Sequence, residues 1–415
     1  MSAKLNAPRG THDVLPDDAA RRQAVEDAAG RILGAAGYRR IETPAFEATE
    51  LFARGVGAST DIVQKEMYSF EDGSGRSLTL RPEGTAPVCR AYIEHGMQKL
   101  PQPVKLWYLS SFFRYERAQA GRQRQFWQVG TEAIGSDDPA LDAESIVLLA
   151  ELLDALGVRE VRLRLSSLGT PETRASYREE LQAYLRAHAD QLSEEVRGRL
   201  DSNPLRAFDA DHPGTREVMQ GAPLLLDRLS GEDAEHFATV RALLDGAGLT
   251  YEVDPTLVRG LDYYARTVFE FTSDALGAQS GVGGGGRYDG LIEQLGGAPT
   301  PGVGWAAGIE RMLLAAGEQT VGEPLVDLFV AYAGAEHRAA GFQIAHEARR
   351  AGLGAQVELA GRSLKGQLKQ ADRIGARYVA ILGEEGATVK EMESGEQVVV
   401  EPGGVIHHVL RGRSL

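Results

Sequence analysis

Cysteine is nearly absent from this sequence: the 415 residues include one cysteine, Cys89. A single cysteine excludes an internal disulfide and is typical of a protein that stays in a reducing cytosol. Long apolar runs are also missing, because no stretch reaches the roughly 18 apolar residues of a membrane-spanning helix. The opening segment MSAKLNAPRG lacks the apolar core of a secretory signal. These absences predict a cytoplasmic protein without a membrane segment.

Metal-binding patterns are scarce as well. The sequence contains neither a Cys-x-x-Cys nor a His-Glu-x-x-His spacing, and the pair His407–His408 has no further candidate ligands nearby. We interpret that pair as the surface of a strand, and we predict no tightly bound metal site in the protein.

The charge balance is acidic. The chain has 45 lysines and arginines against 59 aspartates and glutamates, which gives a formal net charge of −14. This charge argues against a protein that binds nucleic acid with its whole surface, but it permits local basic patches on an acidic body. A chain of this length is long enough for two or three domains, each with its own core.

The first part of the chain is rich in predicted strands. Apolar residues at helical spacing predict helices over residues 17–36 and 139–156. Residues 66–81 and 104–134 contain β-rich runs around turn residues, which is typical of hairpins. Because these strands do not alternate with helices, we expect an antiparallel sheet flanked by helices.

Two changes of composition follow along the chain. From about residue 170 to 250 the sequence is helical and highly charged, which indicates a helical insertion. The segment GEQTVGEP, residues 317–324, reads as a linker, and β-α-β-α-β alternation beyond it predicts a small, mostly parallel sheet. We therefore predict an α/β protein with an α+β domain over residues 1–322 and an α/β domain over residues 323–415.

Polar side chains concentrate in FFRYERAQAGRQRQFWQVGTEAIG, residues 112–135. Period-2 alternation places on one face Phe126, Gln128, Gly130, Glu132 and Ile134. The turn before that strand carries Arg117, Arg122 and Arg124. Arg114 and Glu116 share a face of the preceding strand, and Gly130 is expected to leave an unfilled space above its own strand. The pattern favours a hairpin with a polar site on one side, although cross-strand ion pairs on a solvated face would explain any single pair.

Three other segments carry unusual polarity. In TLRPEGTAP, Glu83 and Thr85 offer oxygens for an ammonium group, although the proline and glycine alone would make a capped turn. LVRGLDYYART, residues 257–267, places Arg259 in a strand-like stretch, where a buried charge needs a partner or a ligand. In GVGWAAGIERML, Arg311 lies just inside a helix that begins with small residues, where a phosphate can approach.

The glycine run GVGGGGRYDG has two interpretations. Gly281, Gly283 and Gly286 match the G-x-G-x-x-G spacing of a dinucleotide-binding loop, as an oxidoreductase would have. That fingerprint requires a βαβ unit, and the following segment leads through prolines into GVGWAAGIERMLL rather than into a clear second strand. The alternative is a tight glycine turn that lets the backbone approach a flat ligand.

These segments together resemble the histidyl-tRNA synthetases, a family of class II aminoacyl-tRNA synthetases, over essentially the full chain. GYRRIETPAFE resembles motif 1, which carries the dimer interface, and residues 112–135 and GVGWAAGIERML resemble motifs 2 and 3. LVRGLDYYART and GGGGRYDG are characteristic of the histidine enzymes. Further matches are RGTHDVLP, RGVGASTDIVQKEMYSF, LRPEGTAP and SNPLRAFD. The resemblance implies a homodimer with a class II catalytic domain, a helical insertion and a C-terminal anticodon-binding domain.

The resemblance also implies a reaction. ATP, accompanied by Mg²⁺, would activate L-histidine to histidyl-adenylate, and the histidyl group would then pass to the terminal adenosine of tRNA(His). Arg114 matches the arginine that grips the α-phosphate, and Arg311 matches the one that holds the tail phosphate. Arg259 matches the arginine that reaches the α-phosphate and the substrate carboxylate. The other implied ATP contacts are Glu116, Arg122 and Phe126.

The remaining site residues follow from the same resemblance. Glu83, Thr85 and Gln128 match the residues that hold the histidine ammonium group. Glu132 and Tyr264 match those that bond the imidazole nitrogens, in a pocket also lined by Tyr263 and Tyr288. Gln119 and Arg124 resemble contacts to the tRNA acceptor end. A basic stretch in the C-terminal domain contains Arg362, Lys365, Lys369, Arg373 and Arg377, which would contact tRNA or would form only a solvated helix face.

One relative with another function shares the fold. The regulatory subunit of ATP phosphoribosyltransferase is a catalytically silent, synthetase-like protein that generally lacks the anticodon domain and has lost parts of the motifs. This chain retains the motif residues and the C-terminal module, so the sequence favours the enzyme over the regulatory subunit.

Overall fold

The computed structural model describes residues 5–57, 60–116, 121–277, 280–317 and 326–413. The chain divides into two compact units, Met1–Gln319 and Thr320–Leu415. The predicted domain boundary between residues 322 and 323 lies outside the described residues, as does most of the predicted linker.

The first unit is built on two sheets. Its strands are β1 (Arg39–Arg40), β2 (Phe46–Ala48), β3 (Tyr68–Glu71), β4 (Ser77–Leu80), β5 (Val104–Phe113), β6 (Gln125–Ile134), β7 (Val161–Ser167), β8 (Glu252–Val253), β9 (Ala265–Ser273), β10 (Gly281–Arg287) and β11 (Gly302–Gly308). The large sheet has the order β1-β5-β6-β11-β10-β9-β7-β8, and the small one has the order β2-β4-β3. All neighbours are antiparallel except the edge pairs β1–β5 and β7–β8. The predicted antiparallel sheet and both predicted hairpins are therefore confirmed.

Helices cover both faces of the large sheet. They are α1 (Pro16–Ala35), α2 (Thr49–Gly55), α3 (Thr85–Glu94), α4 (Pro139–Ala155), α5 (Pro171–Ala187), α6 (Glu194–Arg199), α7 (Pro213–Met219), α8 (Gly231–Gly246), α9 (Leu291–Gln294) and α10 (Ile309–Ala316). The helix α4 begins where predicted because Asp138 caps it, accepting a hydrogen bond from the backbone of Ala140 at 2.9 Å. Within the described ranges, every helix is too short or too polar to cross a membrane.

The large sheet has one closely packed face and one face that is only partly filled. Against one face pack α1, α4, α8 and α10, through side chains such as Leu33, Leu149, Val240 and Met312. The opposite face contacts α3, α9 and the helices α5 to α7. Several buried side chains on this face are tyrosines rather than aliphatic residues. That polar, incompletely filled face is where the candidate site lies.

The helical insertion consists of α5 to α8, between β7 and β8. Helices α5 to α7 pack around Tyr177 and Leu181, in the same core cluster as Tyr108 of β5. The helix α8 instead joins the other core through Phe237 and Leu244. The insertion therefore packs against both faces of the large sheet.

Several local predictions were wrong. LVRGLDYY is a loop, and the strand begins only at Ala265, after the polar residues. Strand β5 ends at Phe113, so Arg114 and Glu116 lie beyond it. The glycine run is neither a turn nor a dinucleotide loop but the strand β10, flanked by antiparallel strands on both sides. This arrangement contradicts the oxidoreductase interpretation, because the βαβ unit is absent from around β10.

The second unit is a five-stranded sheet with helices on both faces. Its elements are β12 (Leu328–Tyr332), α11 (Arg338–Arg350), β13 (Ala355–Val357), α12 (Leu364–Arg373), β14 (Tyr378–Gly383), β15 (Gly386–Glu391), β16 (Gln397–Val400) and α13 (Val405–Arg413). The strand order is β13-β12-β14-β15-β16. Strands β12, β13 and β14 are parallel as predicted, whereas β15 and β16 are antiparallel additions. His407 and His408 lie in the helix α13, so their assignment to a strand was wrong.

Candidate active site

Two adjoining cavities, of about 210 and 290 Å³, open on the polar face of the large sheet. Both are lined by Arg114, Arg122, Gln128, Arg259, Gly284 and Ala306. Because these wall residues are shared, ligands bound in the two cavities would be in contact. Three of the shared residues are arginines. We name them the arginine cavity, about 210 Å³, and the tyrosine cavity, about 290 Å³, which also contains Tyr108, Tyr263 and Tyr264.

The arginine cavity brings together the predicted phosphate contacts. Arg114, Glu116, Arg122, Phe126, Arg259 and Arg311 all line it. Arg114 comes from just beyond β5, where its Nε donates to Pro82 O at 2.8 Å and its guanidinium lies 5.4 Å from the centre of the Phe126 ring. Arg311, in the first turn of α10, donates to Gly281 O. Burial, followed by the nearby Arg122 charge, lowers the pKa of Arg311, and both effects would be offset by an anion.

Glycines make the floor of this cavity. Gly281, Gly283 and Gly284 of β10 line it. A Cβ added at Gly284 would lie 2.6 Å from Phe269 O and 3.1 Å from Arg259 Cζ. The glycine run therefore exposes a strand backbone on which the Arg259 guanidinium rests, with space above it for a flat group.

Arg259 reaches the cavities from the 257–264 loop. Its Nη1 donates to Glu270 Oε1 at 2.9 Å, and Glu270 also accepts from Arg164 Nη1 at 3.4 Å. Glu270 on β9 thus fixes the guanidinium of Arg259 between the two cavities. The sequence did not single out Glu270, and only the pairing of β9 with β10 places it beside the glycine floor.

The tyrosine cavity collects the predicted ammonium contacts. The Glu83 carboxylate accepts hydrogen bonds from the backbone N–H groups of Thr85, at 2.7 Å, and Ala86, at 3.1 Å, at the start of α3. Burial raises the pKa of Glu83, and these bonds oppose that shift. Gln128 Oε1 is buried without a hydrogen-bond partner among the described residues. Glu83 therefore bonds the start of α3 and also lines the tyrosine cavity, and its role in holding an ammonium group stays a prediction.

Glu132 is completely buried and lines neither cavity, but it lies directly behind Thr85 in the wall of the tyrosine cavity. Its Oε2 accepts from the Tyr288 hydroxyl at 2.5 Å, and its Oε1 accepts from the Thr85 hydroxyl at 2.8 Å. Burial raises the pKa of Glu132 to about 8 from an ordinary value near 4.5, against the opposing effect of these hydrogen bonds. The predicted pocket residues Thr85 and Tyr288 thus hold Glu132 in place.

The tyrosines form the remaining wall. The rings of Tyr263 and Tyr264 lie 4.7 Å apart, and that of Tyr288 lies 5.8 Å from Tyr263. All three are buried, and burial raises the pKa of each hydroxyl, so they remain neutral donors. Tyr263 and Tyr264 therefore present neutral hydroxyl groups to the tyrosine cavity, whereas Tyr288 and Glu132 are not part of its lining.

Tyr108 and Gly304 are site residues that the sequence did not reveal. The space expected above Gly130 is not empty, because the Tyr108 ring fills it: a Cβ at Gly130 would lie 2.4 Å from the Tyr108 hydroxyl. A Cβ at Gly304 would lie 2.1 Å from Glu132 Oε2. The register of the hairpin pairs Tyr108 with Gly130. This pairing could have identified the contact between the Tyr108 ring and Gly130 from the sequence.

Of the two predicted tRNA contacts, Arg124 lines neither cavity. Gln119 falls outside the described residues. The Arg124 guanidinium lies 4.0 Å from the centre of the Tyr115 ring, and its Nε donates to Glu116 O at 3.2 Å. Arg124 also packs against Gly10, within the predicted RGTHDVLP segment.

Comparison with known proteins agrees with this architecture. The family profile "Histidyl-tRNA synthetase" matches residues 10–312, and the profile "Anticodon binding domain" matches residues 327–411. The "Histidine--tRNA ligase" of Halothermothrix orenii is 48% identical over 404 residues, which is 95% of this chain and 96% of the relative. That of Halorhodospira halophila is 50% identical, with 96% of each chain covered.

A solved structure shows the same fold. The apo histidyl-tRNA synthetase of S. aureus superposes with a TM-score of 0.83 at 36% sequence identity, covering 98% of this chain and all of that one. The match spans the sheet that carries both cavities as well as the C-terminal unit. From its family profile, its relatives and its fold, the chain belongs to the histidyl-tRNA synthetase family.

Proposed function

We infer that the protein is a histidine–tRNA ligase. It activates L-histidine with ATP to histidyl-adenylate, releasing diphosphate, and transfers the histidyl group to the 3′ end of tRNA(His), releasing AMP. The observation that carries this inference is the pair of adjoining cavities with Arg259 in their common wall. One cavity suits a polyphosphate, the other suits a small zwitterion with a polar side chain, and the reacting groups meet at a fixed cation.

The arginine cavity provides the chemistry of the first step. A histidine carboxylate oxygen forms a bond to the α-phosphorus while the bond to the bridging oxygen breaks, and diphosphate leaves with the electron pair. No base is needed, because the carboxylate is already an anion. The barrier is largely the repulsion between two anions, which fixed guanidinium groups lower in the transition state. We assign the α-phosphate to Arg114 and Arg259, and the tail phosphate to Arg311.

The tyrosine cavity provides the selection of histidine. We assign the ammonium group to Glu83 and Gln128, whose oxygens face the cavity. Glu132 and Tyr264 offer one acceptor and one hydroxyl to the two imidazole nitrogens. A site built for such hydrogen bonds rejects apolar side chains of similar size by about 10⁴ to 10⁵, because those side chains leave its buried polar groups unpaired.

Magnesium enters as part of the substrate, MgATP. Mg²⁺ commonly uses one or two protein carboxylates together with phosphate oxygens and water. Glu116 and Glu270 line the arginine cavity and fit that requirement. Among the described residues no cluster of three or more acidic, histidine or cysteine side chains offers a metal cage. When bound, the ion would supply charge neutralisation at the phosphates.

Two partners follow from the same assignment. We propose that the reaction takes place in the cytoplasm. We also propose that tRNA(His) contacts residues 121–124 with its acceptor end and the second unit with its anticodon. The five basic residues from Arg362 to Arg377 are all exposed there, which supports a role in RNA contact. A homodimer is supported by Phe46 and Phe70, which form an exposed edge-to-face pair on the small sheet with rings 6.2 Å apart.

The regulatory-subunit alternative is not favoured by the site. A protein without catalytic activity has no reason to keep Glu132 buried at a cost in stability, or to hold four arginines around one cavity. This chain retains those residues together with the second unit.

The decisive assay is the exchange of labelled pyrophosphate into ATP by the purified protein without tRNA. We expect exchange that depends on histidine. It should be absent with phenylalanine, whose side chain carries a ring of similar size without nitrogen atoms. Exchange that ignores the amino acid, or no exchange at all with histidine and MgATP, would contradict the proposed function.

A further inference from the structure

The segment SNPLRAFD, residues 202–209, has no part in the site as described so far. It lies in the helical insertion, where Pro204–Asp209 forms a short 3-10 helix between α6 and α7. Pro204 and Ala207 are buried, so the turn is rigidly seated on the insertion. Two of its polar side chains, Asn203 and Arg206, contact two segments of the catalytic domain.

The first contact is with the loop that carries Arg259. Asn203 Nδ2 donates to Asp262 Oδ1 at 3.1 Å. Asp262 directly precedes Tyr263 and Tyr264 and is packed against Gly57, where an added Cβ would lie 2.7 Å from Asp262 Oδ2. Asn203 is therefore bonded to the middle of a loop that has Arg259 at one end and the pocket tyrosines at the other.

The second contact is with the segment around Asp61. Arg206 Nη2 lies 3.4 Å from Asp61 Oδ2, and Arg199 Nη2, from α6 of the insertion, lies 2.8 Å from Asp61 Oδ1. The Arg199 hydrogen bond, followed by the Arg199, Lys65 and Arg206 charges, lowers the pKa of Asp61 despite partial burial. Ile62, the next residue, lines the tyrosine cavity.

A third cavity lies between these elements. It has a volume of about 310 Å³ and is lined by Asn203 and Pro204 of the insertion and by residues from Val258 to Asp262 of the loop. Arg259 lines this cavity as well as the arginine and tyrosine cavities. On this side the Arg259 loop borders empty space, and the Asn203 hydrogen bond to Asp262 is one of the contacts that restrain it.

A helix of the insertion restrains the same loop from its other end. Arg174 of α5 donates to Tyr264 O, and burial lowers the pKa of Arg174. The insertion thus bonds the loop at Asp262 and at Tyr264, on either side of Tyr263.

We propose that Asn203 and Arg206 are positioning residues for histidine activation: they fix the Arg259 loop and the Asp61 segment, so that the insertion is part of the activating site even without tRNA. This inference rests on the proposed function and extends it to residues of the insertion. Neither side chain touches a substrate, and both act through Asp262 and Asp61.

Loss of these contacts is expected to affect the reaction rate and the folding stability by different amounts. The Arg206–Asp61 pair has side chains about 30% exposed on both sides, and such partly exposed pairs contribute little to folding. A displacement of about 1 Å at a reacting group, in contrast, can cost about a hundredfold in rate. Loss of these contacts should therefore change kinetics much more than the melting temperature.

The test is the tRNA-free pyrophosphate exchange of two variants. Asn203→Asp keeps the size of the side chain but removes the donor and places a second carboxylate beside Asp262. Arg206→Ala removes the second contact. We expect both to lower the kcat of the exchange by about tenfold to a hundredfold and to raise the histidine KM, with the ATP KM little changed and a melting temperature close to that of the unaltered protein.

A matched control is Arg186→Ala, which removes an arginine paired with Asp201 on the exposed surface of the same insertion. It should leave both KM values unchanged. In addition, Asp61→Ala combined with Arg206→Ala should be no worse than Asp61→Ala alone, because the two changes remove one shared interaction.

The outcomes are separable. If the unaltered protein shows no histidine-dependent exchange, the proposed function fails. If it is active and the Asn203 and Arg206 variants match it, or if Arg186→Ala loses as much activity as they do, the positioning role alone is overturned.

Discussion

Replacing Arg259 with alanine is expected to lower histidine-dependent pyrophosphate exchange by at least about a thousandfold, while histidine still binds. Arg259 is the one arginine shared by all three cavities described above. Its guanidinium is fixed by Glu270 at 2.9 Å and lies over the backbone of Gly284. In the proposed reaction, a fixed cation at this position would stabilise charge that develops only as the carboxylate meets the α-phosphorus. Its loss should therefore reduce kcat far more than it raises the histidine KM.

Two further variants make this result interpretable. Arg164 also bonds Glu270, at 3.4 Å, but it is absent from the lining of both substrate cavities. Arg164→Ala should therefore retain most of the exchange activity. Arg259→Lys keeps one positive charge without the planar fork and should fall between the alanine variant and the unaltered protein. If Arg259→Ala exchanges pyrophosphate at the normal rate, the role assigned to this residue is wrong.

Replacing Glu132 with glutamine should have the second largest effect. The amide keeps the shape of the side chain and can still accept from the hydroxyl of Tyr288, now 2.5 Å from the carboxylate. Unlike the carboxyl group, whose pKa of about 8 lets it ionise when an imidazole N–H is bound, the amide cannot become a charged acceptor. Hydrogen bonds to charged groups contribute about 1.5–3 kcal/mol, so the histidine KM should rise roughly tenfold to a hundredfold. A histidine KM equal to that of the unaltered protein would contradict the assignment.

The same variant should change stability in a pH-dependent manner. The pKa of Glu132 is about 8 in the folded protein, whereas an exposed glutamate titrates near 4.5. Between these values the unfolded chain loses a proton that the folded protein keeps, so the protein loses stability as pH rises through this window. Each pKa unit corresponds to about 1.4 kcal/mol.

Urea unfolding at several pH values measures this effect. Relative to the unaltered protein, Glu132→Gln should gain stability steadily from about pH 5 to about pH 8, and the gain should then level off. Glu50→Gln, at an exposed side chain that is paired with Arg54, is the control for exchanging a surface carboxylate for an amide and should not show this gain. A flat difference for Glu132→Gln as well would mean that Glu132 is not held protonated by burial.

Much of the architecture follows from local sequence patterns. The hairpin of β5 and β6 follows from period-2 alternation around a polar turn, and its register places Glu132 in the site. The helix α1 follows from its apolar spacing, with two aspartates in its first turn. The β-α-β-α-β alternation likewise identified the three parallel strands of the second unit. These features depend on neighbours that are close in sequence.

The predictions that were wrong concern features that depend on contacts with residues far away in the sequence. A run of glycines has almost no strand propensity, and β10 exists because β9 and β11 pair with it on both sides. The residues that pack around it, such as Trp305, are on those neighbouring strands. Likewise, Glu270 fixes Arg259 only because the strand β9 turns back beside the loop. Sequence reasoning named the cations of the site but not the groups that orient them.

A structure of the protein with histidine and a non-hydrolysable ATP analogue tests the central claim most directly. We expect the guanidinium groups of Arg114 and Arg259 within hydrogen-bonding distance of α-phosphate oxygens, and that of Arg311 at the tail phosphate. The imidazole should lie between Glu132 and Tyr264. If the arginines point away from the triphosphate while both ligands are bound, the account of how this site joins histidine to the nucleotide is wrong.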